Sequence, residues 1–191
     1  MNGLWNVLLG RSGHECPWWC CFTFDNFLRR HFQDPSRILS GHVAEGATVL
    51  DIGPGQGYFS IPMARMAGTR GRVIAADIQR PMLSRLQAKA RAAGVADRIE
   101  ARLLTGAETD LGAPLDFALA FWMAHEVADT PAFFALIARS LKPGKCLLIA
   151  EPFGHVSKAA FERTVAAAAA AGFTVAGRPA IAFSRSVLLR R

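Results

Sequence analysis

Short apolar runs alternate along this chain with longer segments in which apolar residues recur every three or four positions. The runs have the length and bounding turn residues of buried strands, and they occupy residues 47–52, 71–77, 99–104, 115–121, 146–150, 173–175 and 180–189. The segments between them have helical spacing, at residues 57–67, 81–93, 130–142 and 157–171. Strands that alternate with helices in this way are typical of a parallel sheet covered by helices on both faces. We therefore predict a doubly wound α/β fold.

Residues that begin and end helices support this division of the chain. Pro81 suits the first turn of a helix, and Gly94 suits the left-handed position that follows its last turn. Ser157 is a favourable N-cap, and Gly172 ends the alanine-rich helix that follows it. Six consecutive alanines in that helix are consistent with helical structure, because alanine has the highest helix propensity. We expect them to form a thin, closely packed helix.

The first 46 residues have a different character. They contain three of the four tryptophans, and Phe24, Phe27, Leu28 and Phe32 follow one helical face. Asp34-Pro35 then predicts the start of a short second helix. We expect residues 1–46 to form a helical cover over the open end of the sheet, and residues 47–191 to form the main domain.

Composition limits the class of protein. Half of the 191 residues are apolar and no apolar run is long enough to span a bilayer, which indicates a globular, cytoplasmic protein. The net charge of +7 leaves an anionic partner open, although the basic residues are scattered. The spacing of Cys16, Cys20 and Cys21 lacks the paired Cys-x2-Cys pattern of zinc sites, so we predict no metal.

The most informative motif is Asp51-Ile52-Gly53-Pro54-Gly55-Gln56-Gly57. It lies where the first predicted strand turns into a helix. Glycines at such a turn let the backbone approach a ligand closely, and the helix N–H groups then point at that ligand. The dinucleotide fingerprint places its third glycine one residue later than Gly57.

This motif resembles the first motif of the class I S-adenosyl-L-methionine (SAM) methyltransferases. The resemblance implies that Gly53, Gly55 and Gly57 cradle SAM and that Asp51 helps to hold its amino acid end. Asp77 ends the second predicted strand, where the family has an acid that binds the ribose hydroxyls. The family's fold adds to our prediction a mostly parallel, Rossmann-like sheet of seven strands that closes with an antiparallel strand.

The remaining cofactor contacts rest on weaker motifs. Ile78 follows the ribose-binding acid and is expected to pack on the adenine face. Many relatives carry an acid after the third strand, but here Thr105 to Ala107 occupy that place, so the adenine contact falls either to the Ala107 backbone or to Glu108. Phe121 and Trp122, at the end of the fourth strand, either lie beside the methionine arm of SAM or belong to the core.

Three side chains near strand ends are candidates for a general base. His125 and Glu126 follow the fourth strand, and His155 follows the fifth. Histidine and glutamate at such positions either remove a proton from the methyl acceptor or serve only the structure.

The leading hypothesis is a methyltransferase that transfers the methyl group of SAM to a small-molecule acceptor. The aromatic residues of the N-terminal segment indicate an apolar or planar acceptor. Two alternatives stay open: an RNA methyltransferase, favoured by the positive charge, and a protein of the same fold that binds SAM without turnover. An NAD-dependent oxidoreductase is disfavoured by the position of Gly57 and by the absence of a Tyr-x3-Lys pattern, since Tyr58 is the only tyrosine. The sequence indicates no oligomeric state.

Overall fold

A computed structural model describes residues 27–104, 111 and 114–191. In this part of the chain, the helices are α1 (Phe27–Phe32), α2 (Pro35–Leu39), α3 (Ser60–Ala67), α4 (Arg80–Ala92), α5 (Thr130–Ser140) and α6 (Lys158–Ala170). The strands are β1 (Thr48–Ile52), β2 (Arg72–Asp77), β3 (Ile99–Leu103), β4 (Leu115–Phe121), β5 (Leu141–Pro152), β6 (Thr174–Gly177) and β7 (Ser184–Arg190).

Among the described residues, these seven strands form one sheet in the order β3-β2-β1-β4-β5-β7-β6. The strand pairs β1–β2, β2–β3 and β4–β5 are parallel, whereas β7 runs antiparallel to both β5 and β6. The predicted fold class, a mostly parallel doubly wound sheet with a closing antiparallel strand, is therefore confirmed. None of the helices in the described ranges has the length and apolar composition that crossing a lipid bilayer requires.

The described residues divide into two compact units. We call the described residues up to Leu103 the N-terminal unit and those from Leu104 onward the C-terminal unit. In the N-terminal unit, β1 and β2 are buried along almost their whole length, and helices α3 and α4 pack against them and against β3. Met63 and Leu86, from the inward faces of these helices, are fully buried. The sequences of β1 and β2 are continuous apolar runs because helices cover these parallel strands.

The C-terminal unit is built on β4, β5, β6 and β7. Helix α5 packs on β5, and α6 packs on α5, β6 and β7. The largest fully buried side chains of this unit are Phe117, Phe134 and Phe161. Ser157 caps α6 by accepting a hydrogen bond from the Ala160 N–H at 3.1 Å, as the sequence predicts.

Several local boundaries differ from the sequence prediction. The largest difference is at β5, which begins at Leu141 and not at residue 146, so the helix before it ends at Ser140. Helix α3 begins at Ser60 and not at residue 57, because the third glycine of the motif still belongs to the turn, with φ 92°. The last strand begins at Ser184 and not at residue 180, because Phe183 has φ 60°, which interrupts an extended chain. In the N-terminal region, Asp34 caps α2 by accepting from the Ser36 N–H at 2.9 Å, as predicted.

Candidate functional site

The glycine turn after β1 has the backbone conformation that the sequence predicts. Gly53, Gly55 and Gly57 all have positive φ, at 64°, 55° and 92°. The left-handed region costs other L-residues about 1–2 kcal/mol each, so the motif is glycine-rich for a conformational reason. The Gly53 N–H donates to the Ala76 carbonyl at 2.9 Å, which fixes the start of the turn beside the end of β2.

The three glycines differ in what surrounds them. A Cβ atom added at Gly55 would meet nothing within 4 Å, whereas one at Gly57 would lie 3.2 Å from Leu86 Cγ. Gly57 is therefore required for packing of the turn on α4, and Gly55 leaves open space beside the backbone. Between them, Gln56 is buried and its Nε2 atom has no hydrogen-bond partner in the described part of the chain. A buried amide without a partner at a glycine turn indicates a place for a polar ligand.

Asp51 lies at this turn with its carboxyl group buried. It is 2% exposed, and its Oδ2 accepts a hydrogen bond from Ser60 Oγ at 2.5 Å. Burial raises the pKa of Asp51 to about 7; the nearby charge of Asp77 adds to this rise, while the Ser60 hydrogen bond and the charge of Arg29 oppose it. A carboxyl group in this state gains most from a cationic ligand, which would stabilise its ionised form.

Asp77 is the last residue of β2 and is 8% exposed. Its Oδ1 accepts a hydrogen bond from the Gln79 N–H at 2.8 Å, which orients the carboxylate at the end of the strand. The β1–β2 register pairs Asp51 with Ala75, two residues before Asp77. The structure therefore brings the two predicted acids and the glycine turn together at the carboxyl ends of neighbouring strands. Ile78 follows Asp77 and is half-buried.

Helix α1 contributes a residue that the sequence analysis missed. The Arg29 guanidinium lies 4.1 Å from the ring centroid of Tyr58, the residue that follows the glycine motif. The Nε atom of Arg29 also donates a hydrogen bond to Gln33 Oε1 at 3.1 Å. Tyr58 in turn donates from its hydroxyl to the Gln33 carbonyl at 2.9 Å. These contacts fasten α1 to the glycine turn and place a positive charge near Asp51. No local motif marks Arg29, since its role depends on contacts 29 residues along the chain.

These observations fit SAM, a nucleoside whose methionine arm carries a sulfonium and an ammonium group. The open backbone at Gly55, the unpartnered Gln56 amide and the buried Asp51 carboxyl suit its polar and cationic groups, and Asp77 suits a pair of ribose hydroxyls.

In the C-terminal unit, Phe121 is the last residue of β4 and Trp122 follows it. Phe121 is 6% exposed, and the ring centroids of the two residues lie 5.5 Å apart. Trp122 has φ 59°, and it is held by two hydrogen bonds: its backbone N–H donates to the Ala150 carbonyl at 2.7 Å, and its Nε1 donates to Ser184 Oγ at 2.8 Å. A bulky residue in this conformation stores strain that its partners must offset, and such strain is concentrated at functional sites.

The three candidate bases lie close together in the C-terminal unit. The rings of His125 and His155 meet edge to face with centroids 4.7 Å apart, and His125 Nε2 lies 4.0 Å from Glu126 Oε1. A fourth residue, which the sequence analysis missed, completes the cluster: Glu151 Oε2 lies 2.6 Å from His125 Nδ1. Glu151 is 1% exposed although it is an acid. Its position at the end of an apolar strand is the sequence feature by which it could have been identified.

Burial and neighbouring charge act in opposite directions on His125. Burial alone lowers its pKa, but the hydrogen bond and charge of Glu151, together with the charge of Glu126, outweigh this, so the pKa of His125 is raised. The imidazole is therefore a stronger base than free histidine.

The two predicted adenine contacts, Ala107 and Glu108, lie outside the described residues, as do Cys16, Cys20 and Cys21. No group of three or more His, Cys, Asp or Glu residues within the described ranges is arranged to hold a metal ion.

The doubly wound sheet and the glycine turn with two acids at the ends of β1 and β2 define a Rossmann-like protein of the class that binds nucleoside cofactors. A family model described as a methyltransferase domain matches residues 49–144, from β1 into β5. The chain belongs to the class I SAM-dependent methyltransferases.

Named sequence relatives agree with this assignment. The chain is 34% identical over 135 residues to a ubiquinone biosynthesis O-methyltransferase of Rhizobium leguminosarum bv. trifolii, a match that covers 70% of this chain and 48% of the relative. A ubiquinone biosynthesis O-methyltransferase of Methylobacterium nodulans is 34% identical over 116 residues, covering 60% and 44%. The chain thus spans about half the length of the curated relatives it matches.

A solved structure shows the same fold. The SAM-dependent methyltransferase of Aquifex aeolicus matches with a TM-score of 0.77 and 23% identity, covering 92% of this chain and 98% of that one.

Proposed function

We propose that this protein transfers the methyl group of SAM to an oxygen atom of a small-molecule acceptor. The observation that carries the cofactor half is the glycine turn: it places a buried carboxyl, an unpartnered amide and an open backbone position together within the N-terminal unit. The family assignment supports SAM as the ligand of this turn.

Four residues of the N-terminal unit have proposed roles in binding SAM. The Asp77 carboxylate accepts hydrogen bonds from the ribose hydroxyls, and the ionised Asp51 carboxylate attracts the ammonium group of SAM. Gly55 admits the ligand to the backbone, and the half-buried side chain of Ile78 packs on the adenine ring. For Ala107, Glu108, Phe121 and Trp122, contact with SAM stays a prediction.

The acceptor half of the proposal rests on relatives and on chemistry. Relatives named O-methyltransferases match most of this chain, and a hydroxyl acceptor needs a base, because its proton must leave when the new bond forms. His125, Glu126 and His155 are the proposed acceptor-side residues. When bound, SAM would supply an electrophilic methyl group on a sulfonium sulfur, and that sulfur would keep the electron pair of the carbon–sulfur bond when the methyl group passes to the acceptor oxygen.

Two measurements test the proposal. Calorimetry of the purified protein against SAM, its demethylated product and NAD should show binding of the first two, and binding of NAD alone would overturn the cofactor assignment. Transfer of label from SAM should then be measured across a panel of hydroxylated aromatic compounds and RNA, with Gly55→Val as the control that lacks cofactor binding.

The panel separates the alternatives. Label in a small hydroxylated compound supports the proposal, whereas label in RNA, with binding that weakens steeply as salt rises, would show the nucleic-acid alternative. SAM binding without transfer to any member of the panel would favour a protein that binds SAM without turnover.

A further inference from the structure

We propose that Glu151 is a positioning residue that fixes the tautomer of His125, so that His125 Nε2 carries the lone pair that removes the proton of the acceptor. This inference rests on the proposed function and deepens it by assigning the base among the three candidates.

The geometry of Glu151 is the first argument. Both of its carboxylate oxygens are bonded to the same residue: Oε2 lies 2.6 Å from the His125 ring Nδ1, and Oε1 accepts from the His125 backbone N–H at 3.1 Å. An ionised carboxylate only accepts hydrogen bonds, so Nδ1 must be the protonated nitrogen of the neutral ring. The remaining nitrogen, Nε2, is then the basic one.

The placement of Glu151 is the second argument. It lies in β5, which pairs with β4 on one side and with β7 on the other, and its side chain is 1% exposed. A carboxylate is costly to bury unless its partners satisfy it, and His125 supplies two of them. A position of this kind is rigid, whereas His155 is exposed and lies in the turn after β5. The structure therefore favours His125 over His155 as the oriented base.

The ionisable groups around His125 come from three elements. Glu126 belongs to the same turn, His155 follows β5, and Arg185 of β7 is the register partner of Glu151. The Arg185 guanidinium lies over the Phe153 ring at 4.9 Å. Among these groups, Glu151 is the one that makes the hydrogen bond with Nδ1, and this bond favours the tautomer that carries the ring proton on Nδ1.

The proton transfer balances with the methyl transfer. The acceptor O–H proton moves to His125 Nε2, and the oxygen lone pair forms the bond to the methyl carbon. The ring becomes an imidazolium, and the Glu151 carboxylate stabilises its positive charge.

Glu151→Gln gives a sharp test, because it reverses the hydrogen bond. The new Gln oxygen would keep accepting from the His125 backbone N–H, which turns its NH2 group toward Nδ1. A donor at that position stabilises the tautomer with a lone pair on Nδ1 and the proton on Nε2. Nitrogen-15 NMR of the histidine rings at high pH should show the proton on Nδ1 in the wild type and on Nε2 in Glu151→Gln.

Kinetics supply the second readout. Because the base is active only when neutral, the acid limb of the kcat profile should follow the titration of His125. In Glu151→Gln, this limb should move to lower pH, and the plateau of kcat should fall by about 10²–10⁴-fold, the range of a lost general base. Glu151→Asp keeps the charge and should restore part of the rate.

Matched controls separate this inference from the proposed function. Glu162→Gln makes the same chemical change at the exposed ion pair with Arg178 and should leave both readouts at wild-type values. Glu126→Gln removes the other nearby carboxylate and should leave the tautomer unchanged. An unchanged tautomer and acid limb in Glu151→Gln would overturn the inference. Failure of SAM to bind the wild type would overturn the proposed function and with it the role of His125 as the base, whereas the NMR result needs no cofactor and tests the tautomer by itself.

Discussion

Ser60 Oγ donates a 2.5 Å hydrogen bond to Asp51 Oδ2 across the glycine turn, joining the first turn of α3 to the end of β1. Both residues are buried, at 0% and 2% exposure. The bond satisfies one oxygen of the buried carboxyl group, and it opposes part of the rise that burial causes in the pKa of Asp51, which is about 7.

The stability of the protein without ligand should depend on the charge of Asp51. Its pKa is about 7 in the folded state, far above that of an exposed aspartate, so folding favours the protonated form. The raised pKa of Asp51 therefore contributes roughly 4 kcal/mol to the free energy of unfolding below about pH 4. This contribution is lost as the pH rises through 7. Relative to Asp51→Asn, which never ionises, the wild type should therefore lose stability from pH 5 to pH 8.

Urea unfolding of the two proteins at several pH values measures this difference. Carboxylates that do not interact with Asp51 contribute equally to both proteins, so their effects cancel in this difference. A difference between the two that stays constant over this range would show that Asp51 is ionised throughout.

SAM affinity should rise with pH in the range where the stability of the unliganded protein falls. The ammonium group of SAM favours the ionised carboxylate, so binding below pH 7 should release a proton from Asp51. Calorimetry at pH 6 in buffers of different ionisation enthalpy detects that proton. Asp51→Asn should bind SAM more weakly at pH 8 and show no such release.

Asp77→Ala should weaken SAM binding by about 1–3 kcal/mol, the range for hydrogen bonds to a charged group. Asp77→Asn tests the charge while keeping the side-chain size. The matched control is Asp97→Asn, at an exposed acid that pairs only loosely with Arg98 at 3.7 Å. Calorimetry should give wild-type affinity for the control, and equal affinity for all three variants would place the ribose elsewhere.

Gly55 and Gly94 form a matched pair of positions. Both have positive φ, 55° and 67°, and an added Cβ meets nothing within 4 Å at either one. Alanine should therefore cost similar stability at the two sites, about 1–2 kcal/mol from the backbone conformation. Gly55→Ala should also weaken SAM binding, and Gly55→Val should abolish it by steric block, while Gly94→Ala should bind normally. Thermal unfolding and calorimetry separate the two effects.

The bond from Trp122 Nε1 to Ser184 Oγ should stabilise the C-terminal unit. It is 2.8 Å long and holds a tryptophan in the left-handed region. Trp122→Phe and Ser184→Ala should each destabilise the protein by about 1 kcal/mol or more, and the double variant should lose less than the sum. Strict additivity in urea unfolding would show that the bond contributes nothing.

Local patterns in the sequence predicted the order of the strands and helices and the glycine turn, although residues 141–145 belong to β5 and not to the end of a helix. Asp34 and Ser157 act as N-caps, and Gly55 needs a positive φ, because each of these effects involves only a few neighbouring residues. The alternation of apolar strands with helices likewise indicated the fold class, since hydrophobic periodicity reflects which faces are buried.

Contacts between distant residues were decided only by the tertiary structure. Arg29 stacks on Tyr58, and Glu151 of β5 contacts the ring of His125 in the turn after β4, although neither pair is linked by any sequence motif. The raised pKa of Asp51 has the same origin, because burial and the charges of Asp77 and Arg29 come from other elements of the fold. Local propensity acts over a few residues, whereas electrostatic effects and hydrogen bonds depend on distances in space, which exist only once the chain is folded.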